Sequence, residues 1–170
     1  MGIRLATPSD TDAMCDLVVK AFGDEGLQVS ELVSEMVSSK DCLIWVAEDN
    51  GVKGLIGASK SALGDDSESL SWVLAPLGVE VDTQGTGVGS KLVHHLLKKA
   101  TEFGIAAVFV YGDPDYYGRF GFSLHAAKNV KAPFDLEYPE GWLAIWFKNF
   151  NVVGHMQLEV KGPLNKPDLW

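Results

Sequence analysis

Cysteine is nearly absent: Cys15 and Cys42 are the two in 170 residues. That excludes a disulfide scaffold and a paired-cysteine zinc module, and it fits a reducing compartment. Both thiols read as small packed groups. No apolar run approaches the length of a membrane span, so no membrane is expected as a partner. The chain does not open with the basic and apolar regions of a secretion signal. Met1-Gly2 begins a myristoylation pattern, but Ala6 stands where that pattern demands Ser or Thr. A cytoplasmic protein is the expectation. Positive charge is also scarce: 14 Lys and Arg stand against 23 Asp and Glu, a net charge of −9. A nucleic-acid surface needs a basic footprint, so nucleic acid is not expected as a partner. An acidic surface weakly favours cationic substrates such as amines. Among the histidines, His94, His95, His125 and His155, no pair has ligand spacing with a third partner. No metal is expected. Internal repeats, low-complexity tracts and linkers are missing too.

What is present suits one compact domain over residues 1–170, since 46% of the residues are hydrophobic. The most informative stretch is Gln84-Gly85-Thr86-Gly87-Val88-Gly89. It lies between an extended run, Leu77 to Val81, and an amphipathic pattern from Gly89 to about Phe103. Alternating glycines let a backbone approach a ligand with no Cβ in the way. A loop that feeds a helix start aims unpaired N–H groups at one point, where the helix dipole favours negative charge. Such a site takes phosphate. A Walker loop fails on spacing: counted from Gly85, Ser90 and Leu92 stand where it needs Gly and Ser or Thr. A dinucleotide fingerprint fails as well, with Ser90 or Leu92 at its last glycine. Binding of some other nucleotide remains a further reading of the loop.

The pattern that fits is [QR]-x-x-G-x-[GA] after a strand and at the head of a helix. It resembles the pyrophosphate loop of the GCN5-related N-acetyltransferase (GNAT) superfamily. A second segment carries the same resemblance. Tyr117, Arg119, Gly121 and Phe122 fill a Y-x-[KR]-x-G-F element that GNAT enzymes carry about 30 residues beyond the loop. The longer string from Gly112 to Phe122 is similar to the YhbS-like subgroup of predicted bacterial acetyltransferases. The start, Ile3-Arg4-Leu5-Ala6, resembles the usual opening strand. The likeness covers about residues 3–125, with C-terminal strands expected over about 126–160.

Periodicity gives the element order β-α-α-β-β-β-α-β-α-β-β. A strand covers 2–6. Ser9, with Asp12 three residues on, reads as the cap of a helix that ends near Phe22. Its apolar face is Ala13, Leu17, Val18 and Ala21. Ser30 reads as the cap of a second helix through Leu32, Val33, Met36 and Val37. Asp49-Asn50-Gly51 joins strands Cys42–Glu48 and 52–62 as a hairpin. An acidic turn is expected at 64–68, then an extended stretch, 70–81, bent at Pro76. The helix after the Gly loop puts Val88, Leu92, Leu96 and Phe103 on one face, and Gly104 ends it. Ile105 to Tyr111 reads as a strand buried on both faces. Further strands are expected near 122–126, 142–147 and 155–160, with an irregular tail from Gly162. The fold class is α+β. The resemblance implies a mostly antiparallel twisted sheet, splayed between its fourth and fifth strands, with flanking helices.

The implied function is transfer of an acetyl group from acetyl-CoA, as cosubstrate, to a primary amine of a small molecule or protein. The alternative is an acyl-CoA-binding regulatory module without turnover. The implied CoA-binding residues are Leu77, Val79, Gln84, Gly85, Thr86, Gly87, Val88, Gly89 and Ser90, with Lys91 and Arg119 as further donors to an anionic ligand. Tyr117 is the implied general acid for the leaving thiolate, and Tyr116 reads as packing. Val79 is near a backbone N–H that could serve the carbonyl oxygen. Some members carry a Glu on the fourth strand as base, but the position here is near Val73, beside Ser71 and Trp72. Glu31 is a candidate base, as is a water chain; Glu80 reads as surface. Trp142 and Trp146, four apart on one strand, share a face and read as core or dimer contact. A homodimer fits the family's habit.

Overall fold

The computed structural model describes residues 1–64, 70–148 and 154–170, and the backbone of 66–69. The chain forms two compact units, Met1–Ala58 with Ala75–Leu96, and Ser59–Leu74 with Leu97–Trp170. Two strands and one helix contribute to both.

The first unit holds β1 (Gly2–Leu5), α1 (Thr11–Ala21), α2 (Gly26–Val37) and β2 (Cys42–Glu48). It also holds the first part of β3 (Val52–Leu63), the end of β4 (Asp66–Val79) and the start of α3 (Val88–Glu102). β1 runs antiparallel to β2, pairing Gly2 with Glu48 and Leu5 with Trp45. Asn50 and Gly51 adopt φ of 52° and 113° in the β2–β3 turn, as the Asn-Gly signal predicts. Met14, Val18, Val33, Met36, Leu55 and Ile56 form a fully buried core.

Two helix starts differ from the sequence reading. Thr7, not Ser9, precedes the first helical turn. Pro8 opens that turn, and the Asp10 carboxylate accepts the Thr7 N–H at 2.7 Å. Met14, rather than Ala13, holds the buried place on α1. Ser30 caps nothing, because α2 already begins at Gly26. A Cβ on Gly26 would lie 2.5 Å from the Val19 carbonyl, so a bare Cα lets the two helices meet there. Sequence periodicity cannot register such a crossing.

The second unit holds the rest of β3, the start of β4 and the end of α3. β5 (Ala107–Tyr111), α4 (Pro114–Gly118), α5 (Leu124–Ala127), β6 (Val130–Lys131), β7 (Trp142–Trp146) and β8 (Met156–Val160) complete it. The hydrogen-bonded order is β1-β2-β3-β4-β5-β7, with β8 against β3 and β6 against β8. This is a mixed, mostly antiparallel sheet flanked by helices, the expected fold class. β4 and β5 run parallel through Ser71–Ala107, Trp72–Val108 and Val73–Phe109. β5 then pairs antiparallel with β7 along its whole length. Phe109, fully buried, stacks on Trp142 at 5.2 Å and meets Trp146 edge-on at 5.9 Å. Trp142 is therefore core, while Trp146 is half-buried on the same face, and each N–H is met by a backbone carbonyl, of Val130 and Ala126 respectively.

The strand expected at 122–126 is reduced to a single antiparallel bridge between Ser123 and Ala144, and from Leu124 the chain enters the short helix α5. The Ser123 hydroxyl accepts the Ala126 N–H and caps it, which competes with extension. Phe103 does not join the buried face of α3; it is 57% exposed and leans on Trp72 at 5.6 Å. The tail is not irregular throughout: Gly162–Leu164 and Pro167–Leu169 form single helical turns. β4 begins at Asp66, inside the expected acidic turn, of which residue 65 lies outside the described residues. The bend expected at Pro76 coincides with a cis Ala75–Pro76 peptide.

Candidate active site

The Gly-rich loop belongs to the first unit. Gly78 on β4 is buried toward α1; a Cβ there would meet Leu17 at 3.2 Å and Val18 at 3.3 Å. Strand alternation therefore turns Leu77 and Val79, both half-buried, to the other face. Beyond Val79 the chain makes one helical turn, Val81–Thr83. The turns that follow are closed by their own hydroxyls. Thr83 Oγ1 donates to the Glu80 carbonyl at 3.0 Å, and Thr86 Oγ1 donates to the Thr83 carbonyl at 2.6 Å. The Gln84 amide reaches back to the Val79 carbonyl at 3.2 Å. Thr83, absent from the residues that the resemblance implies, belongs to this construction too, and its sequence signal is a Thr just ahead of the glycines.

These bonds use carbonyls and leave amides. The first helical bond of α3 runs from the Lys91 N–H to the Gly87 carbonyl. The N–H groups of Gly85, Gly87, Val88, Gly89 and Ser90 make no backbone hydrogen bond among the described residues. Gly85 and Gly87 sit at φ of 77° and 92°, and a Cβ built on either would find no atom within 4 Å. Conformation, not packing, demands glycine there, and the space in front of both is open. Below the loop, α3 is seated firmly: Val88 and Leu92 are buried, and a Cβ on Gly54 would strike both. The result is a fixed row of donors at a helix start, suited to an anion with several oxygens. Lys91 is exposed.

Tyr117 belongs to the second unit. Asp113 caps α4 by accepting the Asp115 N–H at 2.9 Å. The Tyr117 ring lies so close to Gly112 that a Cβ on that glycine would fall 2.5 Å from Cε2. Edge-on contacts with Tyr116 at 5.0 Å and Phe122 at 5.7 Å complete its seat. Its hydroxyl makes no hydrogen bond among the described residues, although burial raises its pKa, with smaller contributions from Tyr116 and Asp113. The phenol is thus held protonated, with its donor available. Tyr116 does what its reading predicts: it packs, with the Arg119 guanidinium 4.7 Å above its ring. That stacking, with a second contact to Phe120 at 5.5 Å, occupies Arg119.

The candidate bases fare differently. Val73 is 1% exposed, so the position near which some family members carry a carboxylate is apolar and sealed here. Its neighbour Ser71 shares a 2.7 Å hydroxyl contact with Ser61 and donates to the Ser61 carbonyl at 3.1 Å. Glu80 pairs with Lys53 at 2.8 Å, more engaged than a surface reading suggests. Glu31 is exposed on α2. His94 is exposed, and His95 meets Trp45 edge-on at 5.8 Å. Among the described residues no cluster of His, Cys, Asp or Glu could hold a metal ion, and no helix is long and apolar enough to cross a membrane.

Comparison with known proteins agrees with this geometry. Residues 2–125 match the family model of an acetyltransferase (GNAT) domain. The uncharacterized N-acetyltransferase YhbS of Escherichia coli (strain K12) is 31% identical over 133 residues, 77% of this chain and 78% of its own length. The crystal structure of Escherichia coli YhbS in complex with CoA matches at a TM-score of 0.81 and 25% identity, covering 93% of this chain and 89% of that one. A GNAT acetyltransferase from Brucella melitensis, in complex with acetyl-CoA, shares the fold at a TM-score of 0.72 and 24% identity, over 91% of this chain and 93% of that one. This chain belongs to the GNAT acetyltransferase family.

Proposed function

We propose that this protein transfers the acetyl group of acetyl-CoA to a primary amine. The row of unpaired amides at Gly85 and Gly87 to Ser90 carries this reading, because it matches the diphosphate of CoA in charge and in number of acceptors. In this reading the end of β4 at Leu77 and Val79 lines the pantetheine arm, and an N–H near Val79 donates to the carbonyl oxygen as it gains charge. Tyr117 serves the sulfur. A thiol has a pKa of about 8.5 and an ordinary phenol about 10. With the Tyr117 value raised further, full proton transfer to the thiolate is uphill. Its role is then a hydrogen bond to the sulfur as charge builds, and solvent delivers the final proton. The C–S bond breaks as the C–N bond forms, and the amine loses one proton.

An alkyl amine, pKa about 10.4, arrives protonated and must shed a further proton first. Glu31, or a chain of waters, takes it. The reaction is tested by following thiol release from acetyl-CoA across a panel of amines, amino acids and peptides. Tyr117→Phe should lower kcat about 100-fold or more while leaving CoA affinity unchanged. A Phe variant as fast as the parent would remove Tyr117 from the chemistry.

One observation favours a second reading. The sealed, apolar Val73 supplies no base, as expected of an acyl-CoA-binding regulatory module. CoA binding with no thiol release from any amine, in parent or variant, would select it.

A further inference from the structure

Within the second unit, α5, β6, the segment 132–139, the start of β7 and the approach to β8 surround a cavity of about 820 Å³. That size lies in the range of small-molecule sites, roughly 300–1,000 Å³. Its apolar wall is Val130, Phe134 and Trp142. The wall belongs to an aromatic cluster. Trp170 packs against Trp142 at 5.8 Å and Phe134 at 6.3 Å. The Trp142 N–H is spent on the Val130 carbonyl at 2.8 Å, so the indole offers the cavity only carbon. Gln157 ties the Ala132 carbonyl to β8 at 2.6 Å, and β6 pairs with β8 through Val130–Met156 and Lys131–Gln157.

The charged lining is of the opposite sign to the chain. Lys128 and Lys131 line the cavity with His155, against the single carboxylate of Asp135, in a protein of net charge −9. The ion pairs among the described residues include neither lysine. Two unpaired ammonium groups beside a stiff apolar wall repel cations and give a neutral apolar molecule no orientation. They suit an apolar body that ends in an anion.

We infer that this cavity is a binding site for a small amphipathic carboxylate, its aromatic or aliphatic body against Phe134 and Trp142 and its carboxylate between Lys128 and Lys131. The site is distinct in residues from the Gly-rich loop and does not depend on the acetyl-transfer reading.

Isothermal titration of the full chain with phenylacetate, octanoate, phenylacetamide and inorganic phosphate tests it. At least one of the two acids should bind one-to-one with Kd below about 1 mM. The amide and phosphate should bind roughly tenfold more weakly or not at all, the one lacking charge and the other lacking an apolar body. The double variant K128Q/K131Q changes only exposed side chains and should fold. It should lose roughly tenfold in acid affinity, and the remaining affinity should fall less steeply with salt. Its affinity for CoA should match the parent's, and saturating CoA should not displace the acid. Neither acid binding, equal binding of acid and amide, an unchanged K128Q/K131Q, or displacement by CoA would each overturn the assignment. The readout survives a failure of CoA binding itself, so the two readings can fail separately.

Discussion

Gly87→Ala isolates the role of the loop, because its two consequences can be separated. A Cβ at this position would find no protein atom within 4 Å. The cost to the free protein is therefore only that of holding an L-residue at φ of 92°, about 1–2 kcal/mol. For a chain of this size that lowers Tm by about 2–8 °C. Gly51 provides a matched control: it also has positive φ, 113°, and open space, but it sits in a hairpin turn. The two alanine variants should melt at similar temperatures. They should part in calorimetric titration with CoA. The added methyl group at residue 87 stands in the space before the donors. Displacing even one amide from a phosphate oxygen forfeits roughly 1.5–3 kcal/mol, about 10- to 150-fold in Kd. Gly51→Ala should bind CoA as the parent does. If Gly87→Ala melts like Gly51→Ala and binds CoA with undiminished affinity, the open donors are not the diphosphate site, and the argument from unpaired amides is wrong.

Two further outcomes follow from titrating groups. Burial raises the Tyr117 pKa, so the phenol keeps its proton past its ordinary value, and kcat should show no descending limb attributable to it below about pH 10. A limb there in the parent that vanishes in Tyr117→Phe would contradict this. Asp10 accepts from both Arg4 terminal nitrogens, at 2.8 and 2.9 Å, and from Thr7. These bonds, Arg4 first, hold its carboxyl below the ordinary value. A lowered carboxylate pKa contributes stability that is present above the unfolded value, about 4, and lost as pH falls through the folded one. Asp10→Asn should cost about 1–3 kcal/mol at neutral pH in urea denaturation, and the gap to the parent should narrow below about pH 4. A gap that stays constant down to low pH would assign the loss to packing instead.

The parts of the site that could be read from sequence are those built from contiguous residues. Positive φ, a helix start and exhausted carbonyls all arise within residues 79–91, so the glycine spacing carried the donor row almost unaided. The Asn50-Gly51 turn was legible for the same reason. The role proposed for Tyr117 rests on its motif, and the structure adds the seat of its ring: Gly112 lacks a side chain where the ring lies. The misreadings have a different physical origin. Ser30 reads as a cap because sequence pattern does not place Gly26 inside a helix, whereas the α1–α2 crossing makes a bare Cα an asset there. Residues 122–126 keep one bridge of the expected strand, Ser123 to Ala144, because the Ser123 hydroxyl caps a helix from Leu124, a local bond that periodicity does not weigh.

The acceptor side is illegible for a deeper reason. A diphosphate can be held by backbone alone, so its site imposes glycine and little else, and that constraint is written locally. A base has no such signature. Any carboxylate or water chain at the right distance suffices, and the position where sequence comparison would look holds Val73, sealed at 1% exposure. Burial of that kind is not a neutral substitution for a carboxylate. A charged group there would need a partner, and the nearest hydroxyl on the strand, Ser71, is already bound to Ser61. If acetyl transfer occurs, the proton must therefore leave by a route this strand does not supply. The place to look is among exposed groups such as Glu31, whose replacement by Gln should slow thiol release without touching CoA affinity.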